Sequence, residues 1–318
     1  MPSTDILKLV FLGCGDVTHK HSATLRRIEG VERYYASRSA GRGATVARNL
    51  DGKGAYDSYA AALDDDALDV ALVATPPGSH LELTLAALEA GKHVIVEKPP
   101  FLRSTDFYAA ASAAQLAGRR VFVAENYFYK PLLRCLREVL ADGDIGEPLF
   151  VLLNALKTQQ VDDWRDDPDL AGGGALFEGG IHWVNFAANL GLPLRAVRGT
   201  RPGEGVGLER SMLLTLEYEG PAGALLYSWE VPSLFKGLRI SRIWGREGSI
   251  TFESNGLFVI VRGRRRRALF PGLRDISGYR AMFEDFLDAI RSGTDPAFDL
   301  EAARRDLELV EQAYETLA

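Results

Sequence analysis

The first 125 residues alternate short apolar runs with amphipathic segments. Five runs have the character of strands buried on both faces, namely Ile6–Leu12, Val31–Ala36, Asp69–Thr75, His93–Val96 and Arg120–Ala124. The segment after the third run predicts a helix, because its leucines share one face. Ser79 and Glu82 have capping-box spacing there, and Gly91 stands where the helix should end. Such repeated βα units predict a parallel sheet with helices on both faces.

After about residue 147 the pattern changes to strands separated by short turns that contain Gly, Pro or Asn. The candidate strands are Pro148–Leu156, Ser211–Tyr218, Gly223–Val231, Leu238–Trp244, Ser249–Glu253 and Leu257–Val261. Their spacing predicts one large, open, mainly antiparallel sheet. Helical patterns near Tyr279–Arg291 and Leu300–Leu317 close the chain. We therefore predict an α/β protein with a doubly wound domain in residues 1–125 and an α+β domain in residues 126–318, with the last helices able to pack back on the first domain.

Composition supports a two-domain globular protein. The chain has 318 residues, of which 47% are hydrophobic and 25% charged, which excludes disorder, collagen and coiled coil. No apolar run approaches the roughly 20 residues that span a bilayer, and Met1–Leu7 does not read as a secretory signal. With two cysteines and a net charge of -6, we expect a cytoplasmic protein with no disulfide framework, nucleic-acid partner or membrane partner.

A glycine turn follows the first apolar run. Residues 13–18 read GCGDVT, so Gly13 can take a tight bend and Gly15 leaves the approach to a pyrophosphate open. The phosphates would contact the start of the next helix, at Asp16 and Val17. Thr18 replaces the third glycine of the usual fingerprint and makes it looser. The position of the turn at the first βα junction predicts a dinucleotide site.

The residues after the second apolar run bear on cofactor choice. A carboxylate that would bind the NAD ribose is missing there, and the sequence instead reads Ser37, Arg38 and Ser39, with Arg42 close by. Arg38 can pair with a 2′-phosphate, and Ser37 can donate a hydrogen bond to it. The alternative is that Ser37 caps a helix and Arg38 is solvated. We predict NADP as the preferred cofactor over NAD.

Three further motifs suggest a family. They are ATPPGSH at residues 74–80, EKP at residues 97–99 and GGGALFEGGIH at residues 172–182. Together with the glycine turn, they resemble the glucose–fructose oxidoreductase / inositol dehydrogenase family (Gfo/Idh/MocA) along the whole chain. The resemblance implies a Rossmann domain followed by an α+β domain with an open sheet.

The resemblance also implies roles for residues. Lys98 would polarise the reacting substrate oxygen, and His182 would be the general base in oxidation and the acid in reduction. Glu178 would orient His182 or contact a substrate hydroxyl, since spacing of four puts both on one helical face. The residues that would line the cofactor are Thr75, Pro76, His80 and Glu97, and the Lys98–Pro99 bond is often cis in relatives.

Some positions depart from the family pattern or suggest substrate contacts. Glu178 stands where the family usually has Asp, and Asn185 stands where many relatives have a second Asp. Position at the domain junction makes Asn126, Tyr127 and Lys130 candidate substrate residues, with an aromatic-packed hinge as the alternative. The loop of Asp162, Asp163, Trp164 and Arg165 is a second candidate, with a solvated loop as the alternative.

The histidines and a run of arginines bear on further binding. The histidines show no spacing typical of a metal site, so no metal is expected. The arginines of Arg262–Arg267 favour a solvated hairpin, although they could attract a phosphate or an acidic partner. On an exposed edge they would also discourage pairing with another strand.

The resulting prediction is an NAD(P)-dependent oxidoreductase that transfers a hydride between nicotinamide and a secondary alcohol or ketone of a sugar, sugar derivative or cyclitol. The alternatives are glycosidase-type chemistry with a retained NAD, or a non-catalytic nucleotide-binding sensor. By analogy we expect a homodimer or homotetramer formed through the open sheet. The alternating apolar residues in Met212–Tyr218 and Leu225–Trp229 would permit that association.

Overall fold

The computed structural model describes residues 6–39, 41–160, 168–203, 207–232 and 237–317. It divides into two compact units. The first contains Met1–Ala124 and Tyr279–Arg304, and the second contains Glu125–Gly278 and Arg305–Ala318. The assignment of cofactor binding to residues 1–125 and substrate binding to residues 126–318 stays a prediction.

A six-stranded parallel sheet forms the centre of the first unit. Its strands are β1 (Leu7–Leu12), β2 (Val31–Ala36), β3 (Gly54–Tyr56), β4 (Val70–Val73), β5 (His93–Val96) and β6 (Val121–Val123). Their order is β3-β2-β1-β4-β5-β6, the order of a Rossmann sheet, so the predicted doubly wound fold is confirmed. The central strands β1, β4 and β5 are apolar along nearly their whole length because helices cover both faces. This topology brings the carboxyl ends of β1 and β4 side by side, where the glycine turn lies.

Helices connect these strands. They are α1 (Asp16–Leu25), α2 (Arg42–Asn49), α3 (Tyr59–Leu63), α4 (His80–Glu89) and α5 (Asp106–Ala117). Gly91 follows α4 at φ +68°, as predicted for a helix end. The predicted capping box is wrong: the Ser79 side chain makes no cap bond, and its Oγ lies 2.7 Å from Thr75 Oγ1. A 3₁₀ turn at Pro77–Ser79 precedes the helix and directs Ser79 back to its own loop.

An eight-stranded sheet forms the centre of the second unit. Its strands are β7 (Pro148–Leu156), β8 (Leu194–Thr200), β9 (Ser211–Tyr218), β10 (Ala222–Ser228), β11 (Ile240–Gly245), β12 (Gly248–Glu253), β13 (Val259–Arg262) and β14 (Arg266–Leu269). The order is β14-β13-β12-β11-β7-β10-β9-β8, antiparallel except for the parallel pair β7 and β10. This confirms the predicted large, mainly antiparallel sheet. The strands β8 and β14 were not predicted, because arginines and a glycine interrupt their apolar pattern.

The two faces of this sheet differ strongly in burial. Val151 of β7 is buried beside Ile243, whereas the neighbouring Phe150 is 56% exposed. In Met212–Tyr218 and Leu225–Trp229, where apolar residues were expected to permit association, most apolar side chains are buried, but Leu213 and Leu226 are only half-buried. Strand alternation places the paired Leu213 and Leu226 on the face opposite the buried Met212 and Leu225. Association through the sheet stays a prediction.

Six more helical elements are found among the described residues. The second unit contains α6 (Pro131–Ala141), α7 (Pro168–Ala171), a π-helical turn at Leu176–Gly180 and α8 (Ile181–Ala188). The helix α9 (Tyr279–Ser292) belongs to the first unit, and α10 (Leu300–Glu315) begins in the first unit and ends in the second. Within the first unit, Phe286 of α9 packs on Phe122 of β6, with ring centroids 5.0 Å apart.

Candidate active site

The glycine turn has the shape that a pyrophosphate needs. Gly13 has a φ of +121°, and a Cβ there would lie 2.3 Å from the carbonyl oxygen of Ala74. Gly15 is the N-cap of α1, has nothing within 4 Å of the position of a Cβ, and makes no side-chain cap bond. The first-turn N–H groups, including those of Asp16 and Val17, therefore have no side-chain cap that would compete with phosphate oxygens. These residues fit a dinucleotide.

The side chain of Thr18 is bonded inside the turn. Its side chain is fully buried, and its hydroxyl donates to the Gly13 carbonyl oxygen at 2.9 Å. A glycine in this place could not form that bond. Thr18 thus departs from the usual glycine fingerprint in sequence and bonds to the first glycine of the turn in the structure.

Two arginines lie close to the carboxyl end of β2. Arg38 and Arg42 are both exposed, and an Arg42 Nη2–H donates to the Cys14 carbonyl oxygen at 3.1 Å. Arg38 interacts with the Tyr59 hydroxyl, and it opposes the rise that burial causes in the pKa of Tyr59. Ser37 is buried and accepts a hydrogen bond from the Ser39 N–H at 3.2 Å, so it caps the following turn. The Arg42 side chain is thus held against the glycine turn, and the Arg38 side chain lies against Tyr59.

The loop after β4 is tied to the EKP motif by a histidine. His80 is fully buried, with Nδ1 2.9 Å from the Pro99 carbonyl oxygen and Nε2 2.8 Å from the Thr75 carbonyl oxygen. Burial lowers the pKa of His80, so the neutral ring donates to one carbonyl at a time. Thr75 and Pro76 are half-buried at the same loop. His80 therefore links the loop of Thr75 to the EKP motif at Pro99. Contacts from His80, Thr75 and Pro76 to a cofactor stay predictions.

A second histidine holds the EKP motif from the other side. Nε2 of His21, on α1, donates to Glu97 Oε1 in a buried contact. Glu97 Oε2 in turn accepts the Lys98 N–H at 3.1 Å. The Lys98–Pro99 peptide bond is cis, as the resemblance implied. Lys98 thus follows a carboxylate that is fixed by a residue from the glycine-turn helix.

The glycine run in the second unit is packed too closely for side chains. A Cβ on Gly173 would lie 2.6 Å from Phe177 Cβ, and one on Gly174 would lie 2.4 Å from the Glu209 carbonyl oxygen. Glu209 Oε1 accepts the Leu176 N–H at 2.8 Å and the Tyr314 hydroxyl at 2.8 Å. These contacts fix the start of the π-helical turn that leads to the predicted catalytic residues.

Glu178 lies on that π-helical turn and is buried. Its N–H donates to the Gly174 carbonyl oxygen at 3.0 Å. The carboxylate acts electrostatically on Tyr227, whose pKa is raised by burial first and by Glu178 second. A contact from Glu178 to a substrate hydroxyl stays a prediction.

His182 is oriented by Glu125. Its Nδ1 lies 2.7 Å from Glu125 Oε1 and 2.8 Å from Oε2, and its ring stacks on Tyr127 with centroids 4.5 Å apart. A carboxylate only accepts hydrogen bonds, so we assign the proton to Nδ1 and the lone pair to Nε2. No sequence motif pairs Glu125 with His182. Glu125 directly follows β6 and falls within the predicted first domain. Its partner His182 is 57 residues further along the chain, in the predicted second domain.

The other residues at the start of the second unit are also held in place. Asn126 is buried and its Nδ2–H donates to the Ser277 carbonyl oxygen at 2.6 Å. Lys130, the N-cap of α6, is buried with Nζ 4.5 Å from the Tyr127 ring centroid. Tyr127 thus contacts both His182 and Lys130. Substrate contacts by Asn126, Tyr127 and Lys130 stay predictions.

Asn185 is fully buried and faces a carboxylate. Its Nδ2–H donates to Asp306 Oδ2 at 2.6 Å, while its Oδ1 is buried without a hydrogen-bond partner. Burial raises the pKa of Asp306 to about 6, partly opposed by Arg305. The amide of Asn185 is thus hydrogen-bonded to Asp306 within the second unit. A contact from Asn185 to a substrate stays a prediction.

The loop of Trp164 and the arginine run lie apart from these residues in the sequence. Trp164, with Asp162, Asp163 and Arg165, lies outside the described residues.

The arginine run forms the predicted hairpin, and β14 is the sheet edge. Arg264 pairs with Glu247, and Arg265 pairs with Asp144 at 2.6 Å, so these two arginines are ion-paired rather than only solvated.

The described residues contain no group of three or more His, Cys, Asp or Glu side chains that could hold a metal ion. Within the same ranges, no helix is both long and apolar enough to cross a membrane.

Comparison with known families and proteins gives matches along the chain. A family described as "Oxidoreductase family, NAD-binding Rossmann fold" matches residues 7–125, and the "GFO/IDH/MocA C-terminal domain" matches residues 133–251. D-xylose 1-dehydrogenase (NADP(+)) 2 of Haloferax volcanii is 29% identical, over 88% of this chain and 88% of its own length. A dTDP-3,4-didehydro-2,6-dideoxy-alpha-D-glucose 3-reductase of Streptomyces violaceoruber is 32% identical, over 69% of this chain and 64% of its own length.

Solved structures show the same fold. An oxidoreductase domain protein from Kribbella flavida has a TM-score of 0.87 at 22% identity, with 99% of this chain and 97% of that chain covered. Levoglucosan dehydrogenase in complex with NADH and levoglucosan has a TM-score of 0.86 at 21% identity, with 98% and 97% covered. The glycine turn, the EKP motif and the segment with Glu178 and His182 therefore lie in a chain that belongs to the Gfo/Idh/MocA family of NAD(P)-binding sugar oxidoreductases.

Proposed function

We propose that this chain transfers a hydride between a nicotinamide cofactor, preferably NADP, and a carbon that carries a secondary alcohol or ketone. The substrate is a sugar, a sugar derivative or a cyclitol. The observation that carries the proposal is the orientation of His182 by Glu125, which leaves Nε2 as the proton-exchanging atom. The bound cofactor supplies the redox chemistry, and the protein supplies position and charge.

His182 moves the proton. In oxidation its Nε2 takes the proton of the substrate hydroxyl, and in reduction it returns that proton to the carbonyl oxygen. The Glu125 carboxylate stabilises the imidazolium that forms, and the Tyr127 ring fixes the plane of the imidazole. His182 is thus the base, and Glu125 is the group that orients it.

Lys98 stabilises the reacting oxygen. Its ammonium offsets the negative charge that grows on that oxygen as the hydroxyl proton leaves in oxidation, or as the hydride reaches the carbonyl carbon in reduction. Glu97 holds the Lys98 backbone through the N–H, and His21 holds Glu97. We propose that Lys98 and His182 act on the same substrate oxygen, as the family resemblance implies.

The preference for NADP is supported by Arg38 and Arg42. Both are exposed near the glycine turn, and Arg42 is bonded to the Cys14 carbonyl oxygen within that turn. A guanidinium pairs well with the two acceptor oxygens of a phosphate. The name of the Haloferax relative gives NADP(+) as its cofactor, which agrees with this choice.

A turnover assay tests the function. Purified protein with NADP+ is offered a panel of pentoses, hexoses, anhydrosugars and cyclitols, and reduced nicotinamide and carbonyl product are both measured. The proposal expects the two products in equal amounts from at least one compound. Net cleavage of a glycoside without a net change in nicotinamide, or tight cofactor binding with no turnover across the panel, would contradict it.

A further inference from the structure

Two cations are buried in the second unit beside the aromatic rings that support His182. Lys130 is 6% exposed and Arg239 is 9% exposed. Lys130 Nζ lies 4.5 Å from the Tyr127 ring centroid, and the Arg239 guanidinium lies 5.9 Å from that of Trp183. Burying a charge is costly unless an opposite charge or several hydrogen bonds compensate it.

Neither cation forms a direct ion pair with a described carboxylate. Across the described residues, no carboxylate forms an ion pair with Lys130 Nζ or with the Arg239 guanidinium, and Nζ has no hydrogen-bond acceptor. Arg239 Nη2 donates to the neutral Asn255 Oδ1, and its Nε is buried without a partner. Burial, with Arg239 acting in the same direction, lowers the pKa of Lys130 to about 8.

The two carboxylates that act on Lys130, those of Glu125 and Glu253, are hydrogen-bonded to other groups. Glu125 accepts from His182 Nδ1 and from the Tyr127 N–H. Glu253 is fully buried and accepts from Asn255 Nδ2 at 2.8 Å and from the Asn255 N–H at 3.0 Å. They act on Lys130 only from a distance, as charges that raise its pKa against the burial effect.

Buried cations with a structural role look different in this chain. Lys92, 3% exposed, donates from Nζ to the Asp65 carbonyl oxygen at 2.7 Å. Arg33, 6% exposed, donates to Ser22 Oγ and to the carbonyl oxygens of Ser22, Leu50 and Asp51. Within the described ranges, Lys130 and Arg239 lack such sets of acceptors.

The two cations are also close to the proton-transfer group. Tyr127 stacks on His182 with centroids 4.5 Å apart, and it meets Trp183 edge to face at 5.5 Å. The Tyr127 ring therefore lies between Lys130 and His182. Arg239 packs on Trp183, the residue next to His182. An acceptor bound there would belong to a molecule that also reaches His182.

We infer that Lys130 and Arg239 form a subsite for an anionic group on the substrate, which makes the substrate a sugar acid or a sugar phosphate. The inference rests on the proposed function, because it places the anion on the molecule that reacts at His182. A carboxylate or phosphate oxygen accepts from both cations and replaces the water that they lose on burial. A neutral sugar leaves both charges uncompensated, so it binds more weakly.

Matched substrates and variants test this subsite. The compared compounds are glucose, glucuronate and glucose 6-phosphate, and sorbitol and gluconate, each with NADP(H)-loaded protein. The variants are Lys130→Met, Lys130→Arg and Arg239→Met, with the exposed Lys53→Met as control. Turnover gives kcat/KM, calorimetric titration gives binding, and NADPH affinity with the melting midpoint shows that each variant is folded.

We expect at least one anionic compound to exceed its neutral partner about tenfold or more in kcat/KM or affinity, the scale of one charged hydrogen bond. Lys130→Met and Arg239→Met remove that advantage, whereas Lys130→Arg and Lys53→Met keep it. The uronate and the sugar phosphate separate a carboxylate from a phosphate as the recognised group.

The failures are distinguishable. Equal handling of neutral and anionic partners, or equal losses for both in Lys130→Met, overturns the subsite and leaves the oxidoreductase proposal intact. Absence of binding by every anionic compound also overturns it. Binding of an anionic sugar that Lys130→Met abolishes, without any hydride transfer, supports the subsite and overturns the proposed function.

Discussion

Glu125 holds His182 through both carboxylate oxygens, which lie 2.7 Å and 2.8 Å from Nδ1. Two acceptor oxygens against one N–H fix the ring orientation without occupying Nε2. Loss of a hydrogen bond to a charged group costs about 1.5–3 kcal/mol, which corresponds to roughly tenfold to a hundredfold in rate.

We expect Glu125→Gln to lower kcat about tenfold to a hundredfold, because the amide no longer stabilises the imidazolium. Its pH–rate profile should change shape as well, since the charge next to the base is lost. The measurement is kcat against pH, with the exposed Glu217→Gln as a matched control. Unchanged kcat and pH profile in Glu125→Gln would show that the pair has no part in proton transfer.

His21 is predicted to position Lys98 through Glu97. His21→Phe keeps an aromatic ring against Phe283 but removes the donor to Glu97. We expect kcat to fall about tenfold, the scale of one charged hydrogen bond, with KM for the sugar nearly unchanged. His19→Phe, an exposed position on the same helix, is the control. Equal effects of the two variants, or a loss confined to KM, would argue against this positioning role.

Two glycines of the turn should respond differently to alanine. Gly13→Ala puts a Cβ 2.3 Å from the Ala74 carbonyl oxygen at a φ of +121°, so we expect a loss of at least about 1–3 kcal/mol in stability. Gly15→Ala meets no atom within 4 Å, so its stability should stay near that of wild type while cofactor affinity falls. Urea unfolding and NADPH titration separate the two outcomes. Normal cofactor binding by Gly15→Ala would place the phosphates elsewhere.

Cofactor choice should depend on Arg38 and Arg42. In Arg38→Ala we expect KM for NADPH to rise about tenfold or more with little change for NADH, because only NADPH carries the 2′-phosphate. Arg42→Ala should act in the same direction, and Arg48→Ala, exposed on α2, should not. Parallel changes with both cofactors would contradict the phosphate assignment.

Asp306 should give the stability of the protein a specific pH dependence. Its pKa is about 6 in the folded state against an ordinary 3.8, so the folded state binds the proton more tightly. This contribution is complete below about pH 4 and is lost as pH rises through about 6, which lowers the unfolding free energy by up to about 3 kcal/mol. Arg305, Asn185 and Glu125 are the other groups that act on it.

The check is urea unfolding of wild type and Asp306→Asn at several pH values. The difference in unfolding free energy between the two should shift in favour of the variant as pH rises from about 4 to 7. A difference that does not vary over this range would mean that Asp306 stays ionised in the folded protein.

The sequence predicted the parts of the structure that depend on local pattern. The buried strands of the first unit, the long strand Pro148–Leu156 and the glycine turn follow from apolar runs and from glycines at a βα junction. The bond from Thr18 to Gly13 could not be predicted, because it depends on how the turn closes. The strand β14 was missed because arginines dominate it.

Contacts between distant residues could not be predicted. Glu125 and His182 are 57 residues apart, and Asn185 and Asp306 are 121 apart. Nothing in a single chain marks such pairs before the fold is known. A carboxylate directly after a buried strand is the only local signal that Glu125 gave, because strand ends carry functional side chains in open α/β sheets.

The most direct test of the central claim is a double-mutant cycle on Lys98 and His182, with hydride transfer followed by use of a substrate deuterated at the reacting carbon. Each single variant, Lys98→Ala and His182→Asn, should lower kcat about a hundredfold or more. If both act on one oxygen, the double variant should be little slower than the slower single variant. Near-normal deuterium transfer in either single variant, or losses that multiply in the double variant, would contradict the account.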